Sequence, residues 1–236
     1  MRALRLRPVM RLGLLGGMTA ASAYLAYVGA TWSRYGHPRH AAADERDELL
    51  DRFMPVYDVV ERHHITVDAP AAVTLDLART LALDTLPLPR AIFRARALIL
   101  GSKPPGHDLP AGLIDQMRAL GWGVLAEEPG EIVLGAVTRP WEPSPTFHAV
   151  DPGQFARVAT PDVVKIAWTL RADPLAPGAS VFRTETRALP TDARARARFR
   201  IYWALLSPGI SLIRRATLAP IKHRAERRFA EAACAP

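Results

Sequence analysis

"DVVKIAWTLRADPLAPGASVFRTETRALP", Asp162 to Pro190, is the stretch whose reading decides the fold. In its first arm Val164, Ile166, Trp168 and Leu170 recur at every second position. That is the period at which the side chains of a β-strand share a face. "DPLAPGA" carries turn residues. In the second arm, "SVFRTETRAL", Arg183, Glu185 and Arg187 fall on one side and Phe182, Thr184 and Thr186 on the other. Two strands joined by such a turn pair antiparallel, so one of these rows must sit beside the apolar row. Matching faces places Phe182, Thr184 and Thr186 there. The charges then share a solvated side with Lys165 and Arg171, where cross-strand pairs contribute little to stability. A register slip of one residue reverses the assignment.

Upstream, "YDVVERHHITV" (Tyr57 to Val67) is rich in β-branched residues and reads as a strand. Helices follow from Pro70 to Leu81, from Pro89 to Leu100, and over "LPAGLIDQMRALG", which ends at Gly121 as a C′ residue. "WGVLAEEPGEIVLGAVTRPW" reads as a hairpin turning at Glu128-Pro129-Gly130. Downstream, a long helix starts at the capping pair Thr191-Asp192 and carries Phe199, Trp203, Leu206, Ile210, Ile213, Thr217 and Ile221 at three- and four-residue steps. Pro208 removes a backbone bond in its middle, so a kink or break is expected near Ser207.

The first residues are basic, and Leu12 to Trp32 runs without a charge. A helix needs about 20 apolar residues to cross a bilayer. The run continues well past "ASA" (Ala21 to Ala23), the site a cleaved signal peptide would use, which favours an uncleaved anchor. Arginines flank both ends. The positive-inside rule points to an inside N-terminus and a globular domain outside the cytoplasm. The expected organisation is a basic segment 1–11, a transmembrane helix or signal anchor 12–32, a linker 33–55 passing into a short helix over Asp44 to Phe53, a folded domain 56–229 and a tail 230–236, with a monomer as the expected state.

One strand, then helices, an antiparallel meander and a long final helix make an α+β layer. "ITVDAPAAV", "FRTETR" and "ARFRIYWALLSPGISLIRRATLAPIKHRAE" resemble the START-like helix-grip superfamily of polyketide cyclases and lipid-transfer domains, also called SRPBCC. The resemblance covers Tyr57 to Arg228 and implies a curved antiparallel sheet packed on a long, kinked C-terminal helix. It implies a ligand too: a hydrophobic small molecule or lipid held between sheet and helix. The lining expected from the alternation is Val164, Ile166, Trp168, Leu170, Phe182, Thr184 and Thr186, with Phe199, Tyr202, Trp203, Leu206 and Ile210 opposite. The same residues would equally make a packed core without a cavity.

Chemistry-bearing motifs are scarce. The chain has 236 residues, a formal charge of +8 and one cysteine, Cys234, so no internal disulfide or cysteine zinc site can form. Its arginines are not interleaved with stacking aromatics, so nucleic acid is not an expected partner. No phosphate-binding loop, dinucleotide fingerprint, nucleophile elbow or H-E-x-x-H is present. No cofactor, metal or catalytic residue is assigned. His63 and His64 point to opposite faces of a strand and suit no single metal ion. Glu61 and His63 share a face and read as a polar contact on a solvated strand, or else as an acid–base pair. An enzyme of the cyclase or hydratase type would need Glu185, Tyr202 or His63 inside the cavity. A non-catalytic membrane-associated interaction module would show an exposed apolar patch on the Pro89–Leu100 helix. The arginines of the last helix are assigned mostly to its outer, solvated face.

Overall fold

The computed structural model describes residues 8–82, 85–101 and 110–234, with side chains from Thr19 onward, Ala20 excepted. The stretch carrying His107 and Asp108, which the sequence reads as a loop, the first seven residues and the last two lie outside the described residues. Six strands form one sheet: β1 (Val59–Val67), β2 (Gly123–Glu128), β3 (Glu131–Thr138), β4 (Phe147–His148), β5 (Val164–Ala176) and β6 (Ala179–Pro190). Their order is β1-β6-β5-β3-β2, every pairing is antiparallel, and β4 adds to β3. The helices are α1 (Pro8–Arg34), α2 (Glu48–Phe53), α3 (Ala71–Thr80), α4 (Pro87–Leu100), α5 (Leu113–Ala119), α6 (Pro152–Phe155) and α7 (Ala193–Ala233). This is an α+β fold whose antiparallel sheet packs on a long C-terminal helix.

The β5–β6 register follows the expected face matching, with Trp168 opposite Thr186, Leu170 opposite Thr184 and Ala172 opposite Phe182. β1 extends the same face, with Glu61 opposite Thr186, His63 opposite Thr184 and Ile65 opposite Phe182. α7 covers this face and runs in the direction of β1. Arg196 pairs with Asp58 at 2.8 Å before the strand, and Lys222 Nζ donates to the Thr66 carbonyl at 2.9 Å near its end. α3 and α5 complete the layer, packing Leu75, Ala78, Leu113 and Ile114 against Ile132, Leu134 and Leu170.

The opposite face is not solvated, which corrects the expectation for Arg183, Glu185 and Arg187. The stretch read as a linker crosses it. A single 3-10 turn (Ala43–Glu45) leads into α2, which Asp47 caps by accepting from the Leu50 N–H at 2.7 Å. Leu49, Leu50 and Met54 then pack with Leu125, Val133, Phe155 and Ala167. Under this strap the Arg187 side chain is 2% exposed and that of Glu185 7%. Glu185 receives two bonds from Arg62, at 2.8 and 3.0 Å, and one from Arg187 at 2.7 Å. Arg187 also donates to Asp51 at 2.5 Å and to the Met54 carbonyl at 2.7 Å, and its guanidinium lies 4.6 Å from the Tyr57 ring centre. Removing one partner of such a buried pair costs about 3–5 kcal/mol, because it strands the other charge. A strand alternating charge with hydroxyl cannot announce from sequence that its charged side will be covered.

The N-terminal expectation is also corrected. Among the described residues no helix is long and apolar enough to cross a membrane. The described side chains of α1 dock instead on the first half of α7. The Tyr24 hydroxyl donates to the Leu205 carbonyl at 2.7 Å, Tyr27 and Ser207 share a contact of 3.3 Å, and Arg200 donates to the Trp32 carbonyl at 2.9 Å. Tyr35 packs edge-on against Phe199, with ring centres 6.1 Å apart. Of the kink or break expected near Ser207, no break occurs: α7 continues through both Pro208 and Pro220. Pro208 has no N–H to offer the Ala204 carbonyl. The Tyr24 bond lies one residue further on, so α1 supplies a donor where the helix ladder is weakest.

One acid on the strapped face titrates abnormally. The Glu131 carboxyl lies against Asp47, and burial followed by the Asp47 charge pushes its pKa from 4.5 up to about 8, against the pull of Arg171. A raised folded-state pKa means that the folded protein keeps a proton which the unfolded chain releases. The associated stability is complete below about pH 4.5 and is lost as pH rises towards 8. Glu131→Gln is therefore expected to flatten the fall in urea midpoint between these two values. A variant profile that falls as steeply as wild type would overturn the assignment.

Candidate functional site

Strand pairing brings three rows of side chains together at the middle of the α7-facing side. Glu61 and His63 come from β1, Thr184 and Thr186 from β6, and Ile166 and Trp168 from β5. The Trp168 ring is locked in place. Its Nε1–H donates to Thr184 Oγ1 at 2.7 Å, and that hydroxyl donates to the Thr169 carbonyl at 2.9 Å. Trp122 meets it edge-on at 6.3 Å and 76°. Opposite, α7 lowers Arg214 onto the indole, its guanidinium carbon 3.9 Å from the ring centre. A cation over the face of a tryptophan is held by the ring quadrupole.

Arg214 differs from the other arginines of α7 that have partners. Arg196 and Arg198 pair with Asp58 and Asp162, and Arg200 covers Trp32. Among the described residues no hydrogen bond or carboxylate within 4.0 Å satisfies Arg214. Burial pulls its pKa down to about 10, and only the more distant charge of Glu61 acts in the opposite sense. Glu61 Oε2 is 3.2 Å from His63 Nε2, close enough for an ion pair but not aligned as a hydrogen bond. His63 Nε2 and Thr186 Oγ1 are both sealed from solvent without a hydrogen-bond partner. Buried polar atoms are normally paired, so two unpaired atoms near a guanidinium without an ion-pair partner single this place out as the candidate site.

Full burial is interrupted at the same place, although Ile166 packs on the apolar clusters at either side. Towards the start of α7, Phe199 and Trp203 form one core with Tyr35, Val59, Val164 and Ala188. Towards its end, Ile221 and Ala225 join Val67, Leu170 and Phe182 in another. Between them Ile166, Thr186, Tyr202, Leu206, Ile210 and Arg214 are only half-buried. The twelve residues expected to line a cavity therefore divide. Val164, Leu170, Phe182 and Phe199 are at most 2% exposed and serve as core. Ile166, Trp168, Thr184, Thr186, Tyr202, Leu206 and Ile210 surround the interruption, and Trp203 closes one end. Of the two hydroxyls, Thr184 is used up inside the fold and Thr186 is free.

Two further corrections follow. Glu61 and His63 lie on the covered face rather than a solvated one. Arg214, assigned by sequence to the outer face of α7, points inward. The spacing could have found it, since it follows Ile210 by four residues and precedes Ile221 by seven, on the apolar stripe itself. Of the three groups of which an enzyme would need one inside the cavity, Glu185 lies under the strap, Tyr202 is half-buried, and His63 is at the site.

Two spaces elsewhere among the described residues are lined by polar groups. The cleft under the strap, among Asp47, Arg171, Arg183 and Glu185, holds about 20 Å³, room for one water. A groove of about 420 Å³ opens between Leu77 and the end of α7, beside Arg224, Arg227, Arg228 and Glu231. Among the described residues no three histidine, cysteine, aspartate or glutamate side chains are grouped to hold a metal ion.

No protein-family model and no curated protein matches the chain. Among solved structures it is similar to the Zhui aromatase/cyclase from Streptomyces sp. R1128, at 16% identity over 72% of this chain and 94% of that one, with a TM-score of 0.29. It is also similar to the di-domain ARO/CYC BexL from the BE-7585A biosynthetic pathway, at 19% identity over 71% of this chain and 46% of that one, with a TM-score of 0.30. The chain thus spans under half of BexL. Ara h 8.0201 matches at 10% identity over 64% of this chain and 97% of that one, with a TM-score of 0.17. Scores this low do not place the chain in a family.

The lock on Trp168 can be tested directly. Thr184→Val keeps the shape and removes the acceptor, leaving the indole N–H buried and unpaired. A loss of about 1–3 kcal/mol in denaturant unfolding is expected, with a shift in tryptophan emission. Unchanged stability and emission would show that the indole does not depend on this bond.

Proposed function

We propose that this domain binds a hydrophobic or amphipathic small molecule, or a lipid, between its sheet and α7. One observation carries the reading. The fully buried core at both ends of α7 gives way in the middle to half-buried side chains, where Ile166 and Ile210 lie beside the unpaired Thr186 hydroxyl. Concave apolar surface with a few convergent polar groups is the usual form of a small-molecule site. The apolar part of the ligand packs against Ile166, Leu206 and Ile210, and its polar end reaches Thr186 and its neighbours. Native mass spectrometry of the full chain is expected to reveal a co-purifying small molecule. Ile210→Trp, which fills the interruption, is expected to expel it. Equal occupancy in the two proteins would place the ligand elsewhere.

A cyclase- or hydratase-type activity is a second reading, favoured by the inward position of the Glu61–His63 pair. An imidazole beside a carboxylate can move a proton to or from a bound carbonyl compound. The pair then acts on the same ligand in the same place.

The domain's location is proposed as the surface of an anionic membrane, without a spanning segment. Leu98 and Ile99 of α4 are 82% and 69% exposed, and Leu25 of α1 is 68% exposed. α1 and α4 both pack on α7, and the chain carries a net charge of +8. Exposed apolar side chains with basic neighbours suit an interface where the former enter the headgroup region and the latter meet anionic lipid. The full chain is expected to sediment with vesicles containing phosphatidylserine, less so at high salt, and less so as Leu98→Asp/Ile99→Asp. Sedimentation unaffected by salt or by these substitutions would count against this location.

A further inference from the structure

Resting on the reading of the interrupted core as a ligand site, we infer that its ligand is an organic monoanion, a carboxylate on an apolar body, received by Arg214. A guanidinium cannot shed its charge at any ordinary pH, so a partly desolvated one needs an anionic partner. The protein supplies none within ion-pair distance among the described residues. Stacking on Trp168 holds the group in place without neutralising it. The indole beneath is itself fixed through Thr184 and Thr169, so the cation is presented on a rigid platform rather than on a free side chain.

The neighbouring groups narrow the ligand further. The planar donor fork of arginine matches the two oxygens of a carboxylate. Thr186 Oγ1, without a partner, adds a hydroxyl donor on the sheet side. Glu61 opposes any anion placed here, since its charge already acts on Arg214 from a distance. One guanidinium beside one carboxylate tolerates a single added negative charge. A dianionic phosphate would add a second charge against Glu61, and an ammonium ligand would be repelled by Arg214. A neutral alcohol could accept one bond from the guanidinium but would leave its charge unbalanced.

The test compares matched probes, decanoate with decanol and 2-naphthoate with 2-naphthalenemethanol, by calorimetric titration of the full chain. The carboxylates are expected to bind roughly 10- to 100-fold more tightly than the alcohols, the range of a hydrogen bond to a charged group. Arg214→Met keeps the apolar contact with Trp168 and removes the charge. It is expected to abolish this preference while the alcohols still bind, without lowering the melting temperature, because it deletes an unpaired charge. Should that variant fail to fold, Arg214→Lys retains the charge without the fork and is expected to keep a reduced preference. Glu61→Gln is expected to tighten carboxylate binding several-fold. Equal binding of acid and alcohol by the wild type would overturn the inference and leave the ligand site standing. So would a carboxylate preference that survives Arg214→Met. Binding of none of the four probes would overturn both.

Discussion

The structure depends on one buried carboxylate. Glu185 sits between Arg62 on β1 and Arg187 on its own strand, and the second arginine continues to Asp51 and the Met54 carbonyl in the strap. This chain of bonds ties the edge strand to its neighbour and the strap to the sheet. It also fixes which side of β6 faces α7. A one-residue slip would carry Arg183, Glu185 and Arg187 into the apolar core and expel Phe182, a cost no surface contact could offset. The charged row is therefore the reason that Thr184 and Thr186 face the helix.

The α7 side follows from that choice. With the hydroxyls beneath the helix, the sheet cannot present an unbroken apolar surface at its middle, and α7 grips it at two separated places. Phe199 and Trp203 make the first grip and Ile221 and Ala225 the second. Arg214, Glu61, His63 and Thr186 occupy the space between, where a solely structural design would have placed leucines. Buried polar groups are costly unless paired. Here the pairing is incomplete in the protein alone, and the functional reading rests on that incompleteness.

α7 continues past Pro208 with a neighbour packed alongside. A proline in mid-helix usually produces a kink or break, since it frees a carbonyl and crowds the preceding turn. α1 lies along this stretch, and Tyr24 and Tyr27 place hydroxyls on Leu205 and Ser207. The same packing explains why an uncharged, alanine-rich stretch that reads as a bilayer span can instead serve as a bracket for another helix. Its tyrosines find backbone and hydroxyl partners in protein.

Much of the architecture was determined by sequence alone. Alternation at Val164 to Leu170 set the face of β5, the charged and hydroxyl rows of β6 set its partner's, and the apolar steps from Phe199 to Ile221 marked the long helix. These are local periodicities, and local backbone geometry is enough to read them. Tertiary structure decided what covers each surface. A short polar stretch around α2 became the lid that buries Glu185 and Arg187, because those charges found partners on it. Arg214 turned from an outer-face residue into the centre of the site because Trp168 was waiting beneath it. Periodicity states which residues share a side, but whether that side meets water, another helix or a ligand depends on segments distant in the chain.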